Sequence, residues 1–398
     1  MYCTRKLTDD MFYVGGNDRR LALFENIYPL PLGVSYNSYL ILDEKTVLLD
    51  TADEAIATLF LENVKTTLAG RNLDYLIVNH MEPDHAACIA EIIARYPEVT
   101  IVGNQKVMDM IKQFFNIDVT DRAMIVKEND ELVTGVHTFK FFMAPMVHWP
   151  EVMVTYDQKD KILYSADAFG TFDPIDGDLY AQDKITCENL VELRRYYANI
   201  VGKYGPQVQM LLKKAAKLEI EMICPLHGPV YKKNIDVLLE KYQKWSKYEP
   251  ENPSVMIVYG SVYNNTAKAC EIIANELALA GVKDVRIYDS SKVDVSYLMA
   301  EAFRCSHIVL GAATYNAGIF TPMENFLHDL KAHNLQNRTV AIVENGSWAL
   351  CAGDKMTEIV ASMKNMSIIE PRLTIKSALK DEQMDTIQEI VAKIKETM

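Results

Sequence analysis

Four potential metal ligands occupy six consecutive positions: His80, Glu82, Asp84 and His85. They directly follow the mostly apolar run 73–78, which predicts a buried strand, so they lie in the loop at its carboxyl end. Polar groups this close together are costly to bury unless they hold an ion. Zinc hydrolase sites favour imidazole and thiolate. A carboxylate-rich set instead suits a harder, higher-valent metal such as iron or manganese.

Three further potential ligands end other apolar, strand-like runs: His148, Asp167 and His227. Open α/β sheets place their sites at the carboxyl ends of strands. Taken alone, each of these residues is better explained as a structural polar residue than as a metal ligand. Their occurrence together with the 80–85 segment favours one shared metal site.

Three neighbouring residues receive other interpretations. Pro83 is predicted to shape the loop, and Asn79 is a possible hydrogen-bond donor to a ligand. His137 lies in a polar, turn-rich segment and is predicted at the surface.

A second polar loop, residues 260–266 (GSVYNNT), follows the predicted strand 255–259 and precedes a helix. Hydroxyl, amide and backbone N–H groups at a helix start form a cradle for a phosphate monoester. The loop contains neither GxGxxG nor GxxxxGK[ST], which disfavours dinucleotide and triphosphate sites. It also lacks Lys and Arg, and neutral donors suit the flavodoxin mode of binding flavin mononucleotide (FMN). An ordinary polar turn capping a helix is the plainer alternative.

Two more loops, residues 313–320 and 345–349, follow the next predicted strands and carry Tyr315 and Trp348. In a flavodoxin-like fold such loops flank the isoalloxazine ring, where aromatic faces stack. Both aromatics are otherwise explained as half-buried side chains. The predicted FMN site comprises Ser261, Val262, Tyr263, Asn264, Asn265, Thr266, Thr314, Tyr315, Asn316, Ala317, Gly318, Ser347, Trp348 and Ala349.

The elements that position these loops predict two domains. The 398 residues exceed one ordinary core, and the segment KYEPENP at 247–253 is the best boundary. Residues 1–249 show clustered strands, the first at 36–42, with helices between and outside them, including one over 188–204. This pattern predicts a layered αββα arrangement. Residues 254–398 alternate strand and helix, which predicts a doubly wound parallel sheet.

Composition excludes several classes of function. Apolar residues make up 49% and charged residues 24%, and no apolar run approaches the ~20 residues needed to cross a bilayer. The net charge of −13 argues against a nucleic-acid partner. Seven cysteines without a CxxC pair encode no disulfide framework, zinc ribbon or rubredoxin-type centre. We expect a cytoplasmic protein without a membrane partner.

The His80 to His227 set resembles the metallo-β-lactamase fold, with one departure. Hydrolytic members carry a second histidine two residues after the first, and this chain carries Glu82 there. The pattern His-x-Glu-x-Asp-His is similar to that of the flavodiiron branch. The resemblance assigns His80, Glu82 and His148 to one iron, Asp84, His85 and His227 to the other, and Asp167 to both. Four imidazoles and three carboxylates can offset much of the charge of two iron ions, which agrees with that assignment.

The resemblance extends over nearly the whole chain and implies an A-type flavodiiron protein. Its fold is an α/β one: an N-terminal metallo-β-lactamase-like αββα sandwich, then a C-terminal flavodoxin-like doubly wound parallel sheet, with no rubredoxin extension. The segments 24–25 and 35–39 also resemble the family's amino-terminal region. Asn26 stands near where some relatives carry an extra histidine, and it receives no ligand role. Tyr196 lies near the diiron pocket in relatives, and a helix-face aromatic explains it equally well.

The implied function is reduction of nitric oxide (NO) to N2O, of O2 to water, or both. Electrons would enter at FMN from an external donor and pass to two non-haem irons. Four stored electrons suffice for O2, and two NO need only two. The donor would be rubredoxin, a rubredoxin-bearing flavin reductase or a reduced deazaflavin. Because the two sites lie in separate domains, the family pattern implies a head-to-tail homodimer or a dimer of such dimers.

Two alternatives stay open. A zinc hydrolase of the same fold with a fused flavodoxin is one, and Glu82 argues against it. A non-catalytic FMN electron carrier or redox sensor is the other.

Overall fold

The structure is a computed structural model that describes residues 2–181 and 187–398, the side chains of residues 187–189 excepted. Cys187 is among those side chains. The chain forms two compact units: the first is Met1–Tyr197 with Pro206–Tyr242, and the second is Ala198–Gly205 with Gln243–Met398. The predicted domain limits, residues 1–249 and 254–398, stay a proposal.

The first unit contains short strands and peripheral helices. Its strands are β1 (Arg5–Lys6), β2 (Met11–Tyr13), β3 (Gly16–Asp18), β4 (Leu23–Phe24), β5 (Tyr28–Pro29), β6 (Val34–Tyr36), β7 (Tyr39–Leu42), β8 (Thr46–Leu49), β9 (Tyr75–Ile77), β10 (Thr100–Gly103), β11 (Ala123–Ile125), β12 (Glu131–Val133), β13 (Thr138–Met143), β14 (Met153–Asp157), β15 (Ile162–Tyr164) and β16 (Met222–Cys224). The α-helices up to residue 246 are α1 (Ala57–Leu68), α2 (Pro83–Ala86), α3 (Ile89–Arg95), α4 (Gln105–Phe115), α5 (Cys187–Tyr196), α6 (Gly205–Ala215) and α7 (Ile235–Ser246).

Two sheets share one core in this unit. The seven-stranded sheet has the order β1-β2-β7-β8-β9-β10-β11, and the five-stranded sheet has the order β12-β13-β14-β15-β16. The core joins apolar residues of both sheets, such as Ile41 and Ile77 of the first with Phe141 and Tyr164 of the second. Two sheets packed face to face in this way, with helices in the connections, form the predicted αββα sandwich.

The second unit alternates strands and helices as predicted. Its elements are β17 (Asn252–Gly260), α8 (Asn265–Leu279), β18 (Val285–Asp289), α9 (Val295–Arg304), β19 (Cys305–Tyr315), β20 (Gly318–Ile319), α10 (Thr321–Ala332), β21 (Thr339–Gly346), α11 (Ala352–Ala361), β22 (Ser367–Lys376) and α12 (Met384–Thr397). The sheet has the order β18-β17-β19-β21-β22, with all four pairings parallel. This is the flavodoxin-like order, with its switch point between β17 and β19.

Two predicted elements differ in detail. The predicted strand 36–42 is wrong as one element, because Asn37 turns its side chain to the carbonyl groups of Pro225 and Gly228 and separates β6 from β7. The predicted helix 188–204 is helical, but it changes from α5 to a π-helix at Tyr197–Val201 and a 3-10 helix at Gly202–Tyr204.

Candidate functional site

The buried carboxylate of Asp50 accepts hydrogen bonds from the loop after β9 and fixes its position. Asp50 Oδ1 accepts the backbone N–H groups of Asn79 (2.7 Å) and His80 (3.2 Å), and its Oδ2 accepts the Asn79 amide (2.8 Å). Asn79 Oδ1 in turn accepts the Thr155 hydroxyl. Asn79 therefore fixes the loop rather than a ligand side chain. Pro83 begins α2, where its fixed φ suits a first helical position.

The first group of potential ligands comprises His80, Glu82, His148 and Asp167. His80 Nε2 lies 3.1 Å from Glu82 Oε2 and 3.0 Å from Asp167 Oδ2. His148 Nε2 lies 3.0 Å and 3.2 Å from the same two oxygens. Ligand atoms that surround one ion at about 2.1 Å are roughly 3–3.4 Å apart. The four donor atoms therefore have the spacing of one coordination sphere.

The second group comprises Asp84, His85 and His227. Asp84 Oδ2 lies 3.3 Å from His85 Nε2 and 3.2 Å from His227 Nε2, and the two nitrogens are 3.0 Å apart. Asp167 Oδ1 lies 3.4 Å from His85 Nε2 and 3.7 Å from His227 Nε2. One oxygen of Asp167 thus faces each group.

These seven residues, which we call the seven-residue cluster, are all buried. Apart from the imidazole nitrogens of the cluster itself, no donor in residues 2–181 or 187–398 reaches either oxygen of Asp84 or of Asp167. Buried carboxylate oxygens without donors are costly, and a cation would supply what they lack. The donor set and the two-sided Asp167 fit two metal ions. The ligand roles predicted for these seven residues stay a proposal.

The ionisation of the cluster supports the same interpretation. Burial raises the pKa of Asp84, His85 lowers it, and the Glu82 and Asp167 carboxylates raise it again, to about 7. Burial lowers the pKa of His148, but Asp167 and Glu82 raise it to about 9. The chain's own charges therefore leave Asp84 poorly stabilised as an anion.

Polar partners outside the cluster were missed by sequence reasoning. Glu151 Oε1 lies 2.8 Å from His80 Nδ1, and the backbone carbonyl of Ser35 lies 2.8 Å from His227 Nδ1. These pairs join residues 71 and 192 positions apart. A single Glu and a single backbone carbonyl carry no pattern that a sequence could reveal.

Aromatic rings enclose the second group. The ring of Tyr196 lies 5.4 Å from that of His227, and Phe24 and Tyr36 lie 5.2 Å and 5.8 Å from the same ring. Tyr196 is fully buried, so it is not an outward-facing helix residue. No catalytic role was predicted for Tyr196 beyond its place near the diiron pocket, and that place in the site stays a proposal. Asn26 lies in the turn that follows Phe24, in a left-handed conformation.

A cavity of about 600 Å³ lies at the carboxyl ends of β17, β19 and β21. Twelve of the fourteen residues predicted for FMN line it, all except Asn264 and Gly318. Ala313, Asn345, Gly346 and Ser377 complete the lining, which contains no Lys or Arg. The FMN roles of the individual residues stay a proposal.

Two buried atoms at this cavity lack partners: Ser261 Oγ and Asn345 Oδ1 make no hydrogen bond within the described parts of the chain. The side chains of Tyr315 (44% exposed) and Trp348 (81% exposed) leave large apolar faces in solvent. Trp348 is therefore not a half-buried core aromatic. Unpaired polar atoms beside open aromatic faces fit a phosphate-bearing planar ring.

A third group of potential ligands has a different character. His137, Asp10 and Asp160 come together, but Lys159 Nζ lies 2.7 Å from Asp10 Oδ2 and 3.4 Å from Asp160 Oδ2. The prediction that His137 lies at the surface is wrong. It is fully buried because Asp157 and Asp10, from distant parts of the chain, lie at its two ring nitrogens.

Comparison with known proteins agrees with this geometry. Residues 34–228 match the model of the ODP family beta lactamase. An uncharacterised protein of Methanocaldococcus jannaschii is 31% identical over 95% of each chain. The anaerobic nitric oxide reductase flavorubredoxin of Escherichia coli is 28% identical, over 88% of this chain and 73% of that protein.

Solved structures match over the full length. The rubredoxin oxygen:oxidoreductase of Desulfovibrio gigas superimposes with a TM-score of 0.93 at 24% identity, covering 99% of this chain and 98% of that one. The flavodiiron protein of Giardia intestinalis superimposes with a TM-score of 0.92 at 22% identity, covering 99% and 96%. Among the described residues, no helix has the length and apolar character needed to cross a membrane.

The two-group cluster and the cavity agree with three findings: the β-lactamase-type family match, the full-length relative and the shared fold of both units. The chain belongs to the flavodiiron protein family.

Proposed function

We propose that this protein is a flavodiiron oxidoreductase that reduces NO to N2O, O2 to water, or both. The observation that carries the proposal is the two-sided Asp167, whose separate oxygens face two groups of two imidazoles and one carboxylate each. Two relatives with this architecture are named as a nitric oxide reductase and an oxygen oxidoreductase, which supports both gases. Either is a small, weakly polar molecule that fits the aromatic surroundings of the second group.

The cluster would hold two iron ions, which with FMN would supply the electrons for gas reduction. The chain's own residues position and shield that chemistry. Burial excludes bulk water, and the rings of Phe24, Tyr36 and Tyr196 enclose His227 with apolar surface. A water-poor site also strengthens the interaction between carboxylates and a cation.

The cavity of the second unit would hold FMN. Ser261 Oγ and the N–H groups at the start of α8 would bind its phosphate, and Trp348 and Tyr315 would cover its ring. Because these two aromatics are exposed, an electron donor can approach the ring closely. We propose that the donor is external, a rubredoxin or a rubredoxin-bearing flavin reductase.

Two further parts of the proposal concern assembly and location. A head-to-tail homodimer, or a dimer of such dimers, would set the flavin of one subunit beside the irons of its partner. If a monomer kept full activity during dilution with light scattering, the dimer proposal would fail. The six cysteines whose side chains are described are all free thiols, which supports a cytoplasmic location.

The zinc hydrolase alternative differs in its metal. Glu82 adds a third carboxylate to the seven-residue cluster, and no thiolate takes part in it. Oxygen-rich sets favour iron over zinc. Metal analysis with Mössbauer spectra tests this, and two zinc ions without iron would refute the reductase proposal.

The decisive experiment replaces Asp167. Asp167→Ala removes both carboxylate oxygens, one of which faces each group. We expect NO and O2 consumption to fall more than about 100-fold while FMN reduction continues. Asp157→Ala is the matched control, since Asp157 is an equally buried carboxylate beside the histidine of another cluster. Unchanged gas consumption in Asp167→Ala would favour the electron-carrier alternative. Anaerobic turnover with each gas separately measures the preference.

A further inference from the structure

Glu151 is a fully buried carboxylate whose Oε1 is directed at the seven-residue cluster. This oxygen accepts the backbone N–H of Met81 (2.9 Å) and lies 2.8 Å from His80 Nδ1. The Asn104 side chain donates to the backbone carbonyl of Glu151 and fixes its position. With a carboxylate at Nδ1, His80 would keep a proton there when an ion is bound, and Nε2, which lies beside the oxygens of Glu82 and Asp167, would be the nitrogen that binds the ion.

Among the described residues, no carboxylate is found at the outer ring nitrogen of the other three histidines of the cluster. His227 Nδ1 faces the neutral carbonyl of Ser35. His85 Nδ1 has no hydrogen-bond partner in the described residues. For His148, the ion pairs found there run from Nε2 to the cluster's own carboxylates. Carboxylate support at the outer ring nitrogen is therefore found at His80.

The types of the nearest ligands do not distinguish the two groups. Each group has two imidazoles, one carboxylate and one oxygen of Asp167. A buried charge that does distinguish the two groups lies outside them, at Glu151. Because a carboxylate bonded to an imidazole N–H makes that imidazole a stronger donor, Glu151 favours the more highly charged ion beside His80.

Two other carboxylates lie nearby. Asp50 spreads its charge over three N–H donors of Asn79 and His80 and hydrogen-bonds no imidazole, although its charge also reaches His85. Glu25, in the turn after β4, interacts with Glu82 and His148. Its contacts thus fall mainly on the same group as Glu151.

We propose that Glu151 is a positioning residue that makes the two metal positions unequal. The position at His80, Glu82 and His148 favours the ferric ion, so a first electron is retained at Asp84, His85 and His227. This inference rests on the proposed function, because it requires two irons. It adds an order of reduction that equal ligand sets do not imply.

The test follows the two one-electron reduction steps of the full-length, iron-loaded protein by EPR and ⁵⁷Fe Mössbauer spectroscopy. Glu151→Gln keeps a hydrogen-bond acceptor for His80 but removes the charge. We expect the second step to become easier by about tenfold, or about 59 mV for one electron, with the first step nearly unchanged. The stability constant of the half-reduced state would then fall about tenfold. Glu151→Asp keeps the charge and should restore part of the lost stability constant.

Asp157→Asn is the matched control, because Asp157 Oδ2 also lies 2.8 Å from a buried histidine Nδ1 but outside the cluster. It should leave both reduction steps unchanged. An unchanged second step in Glu151→Gln, or an equal shift of both steps, would overturn the proposal.

If Glu151→Gln does not hold iron, the Mössbauer spectrum of the unaltered iron-loaded protein still tests the proposal. A single quadrupole doublet for both ferric ions would overturn the inference, whereas two distinct doublets are expected. A protein that binds no iron at all would instead refute the proposed function, so the two failures are distinguishable.

Discussion

The first unit contains two clusters of the same kinds of side chain with opposite charge balance. The His137 cluster (His137, Asp10, Asp157, Lys159 and Asp160) includes a lysine ammonium 2.7 Å from Asp10. In the seven-residue cluster, the ion pairs found among described residues join carboxylates to imidazoles, and both Asp84 oxygens lack donors. The His137 cluster contains its own cation, whereas the seven-residue cluster has the arrangement of a cation-binding site.

The pKa values of the two clusters reflect this difference. In the His137 cluster, burial raises the pKa of Asp10, but Lys159 and His137 lower it to about 2. In the seven-residue cluster, burial and neighbouring carboxylates raise the pKa of Asp84 to about 7 despite His85. Residue types alone therefore do not identify a metal site. In this unit, the Lys159 ammonium beside Asp10 and Asp160 distinguishes the His137 cluster from the seven-residue cluster.

Removing the metal should give the largest effect. Chelation of the iron-loaded protein should lower the free energy of unfolding of the first unit by about 4 kcal/mol or more, because ions at about 1,000 times their Kd stabilise by that amount per site. Calorimetry with and without chelator, at constant FMN, measures it. An unchanged unfolding temperature would mean that the seven-residue cluster is as self-sufficient as the His137 cluster.

The two clusters also differ in how much of them local sequence signals predict. Local signals located the strand 255–259 within β17, and ligand types at strand ends predicted the residues of the seven-residue cluster. They failed where distant segments decide the outcome. His137 follows a turn-like segment, yet Asp10, more than a hundred positions away, lies 3.1 Å from its Nε2. Glu151 was invisible because its partner is 71 positions away.

In the second unit, local sequence signals also failed where contacts between distant segments decide, here for a whole strand rather than a single residue. Alternating strands and helices predict the parallel sheet, but no local pattern indicates that β22 is an edge strand of it. β22 includes exposed charged positions such as Glu370 and does not have the apolar run of the central β19. Its place at the sheet edge depends on pairing with β21, which no local pattern indicates.

Replacing the internal cation should have a smaller effect. Lys159→Met leaves the Asp10 and Asp160 carboxylates without their ammonium, and we expect a loss of about 1 kcal/mol in the free energy of unfolding, with iron content unchanged. Urea unfolding and metal analysis measure both. Lys161→Met is the matched control, since Lys161 pairs with exposed glutamates and should change stability less. A loss of iron in Lys159→Met would contradict the separation of the two clusters.

The smallest effect is a dependence on pH that belongs to the His137 cluster. Burial lowers the pKa of His137, but Asp157 and Asp10 raise it above its usual value. Its stabilising contribution is therefore complete below the unfolded-state pKa of about 6.5 and is lost as pH rises through the folded-state pKa. For Asp10, whose pKa is lowered to about 2, the contribution is present above about 3.9 and is lost as pH falls through about 2.

The cluster should thus stabilise the fold most between about pH 4 and pH 6.5. The difference in free energy of unfolding between the unaltered protein and His137→Gln isolates this contribution, since the seven-residue cluster is the same in both. We expect that difference to shrink by about 1 kcal/mol between pH 5.5 and pH 9. A difference that stays constant over this range would mean that His137 is uncharged among its carboxylates, and Lys159 alone would then balance Asp10, Asp157 and Asp160.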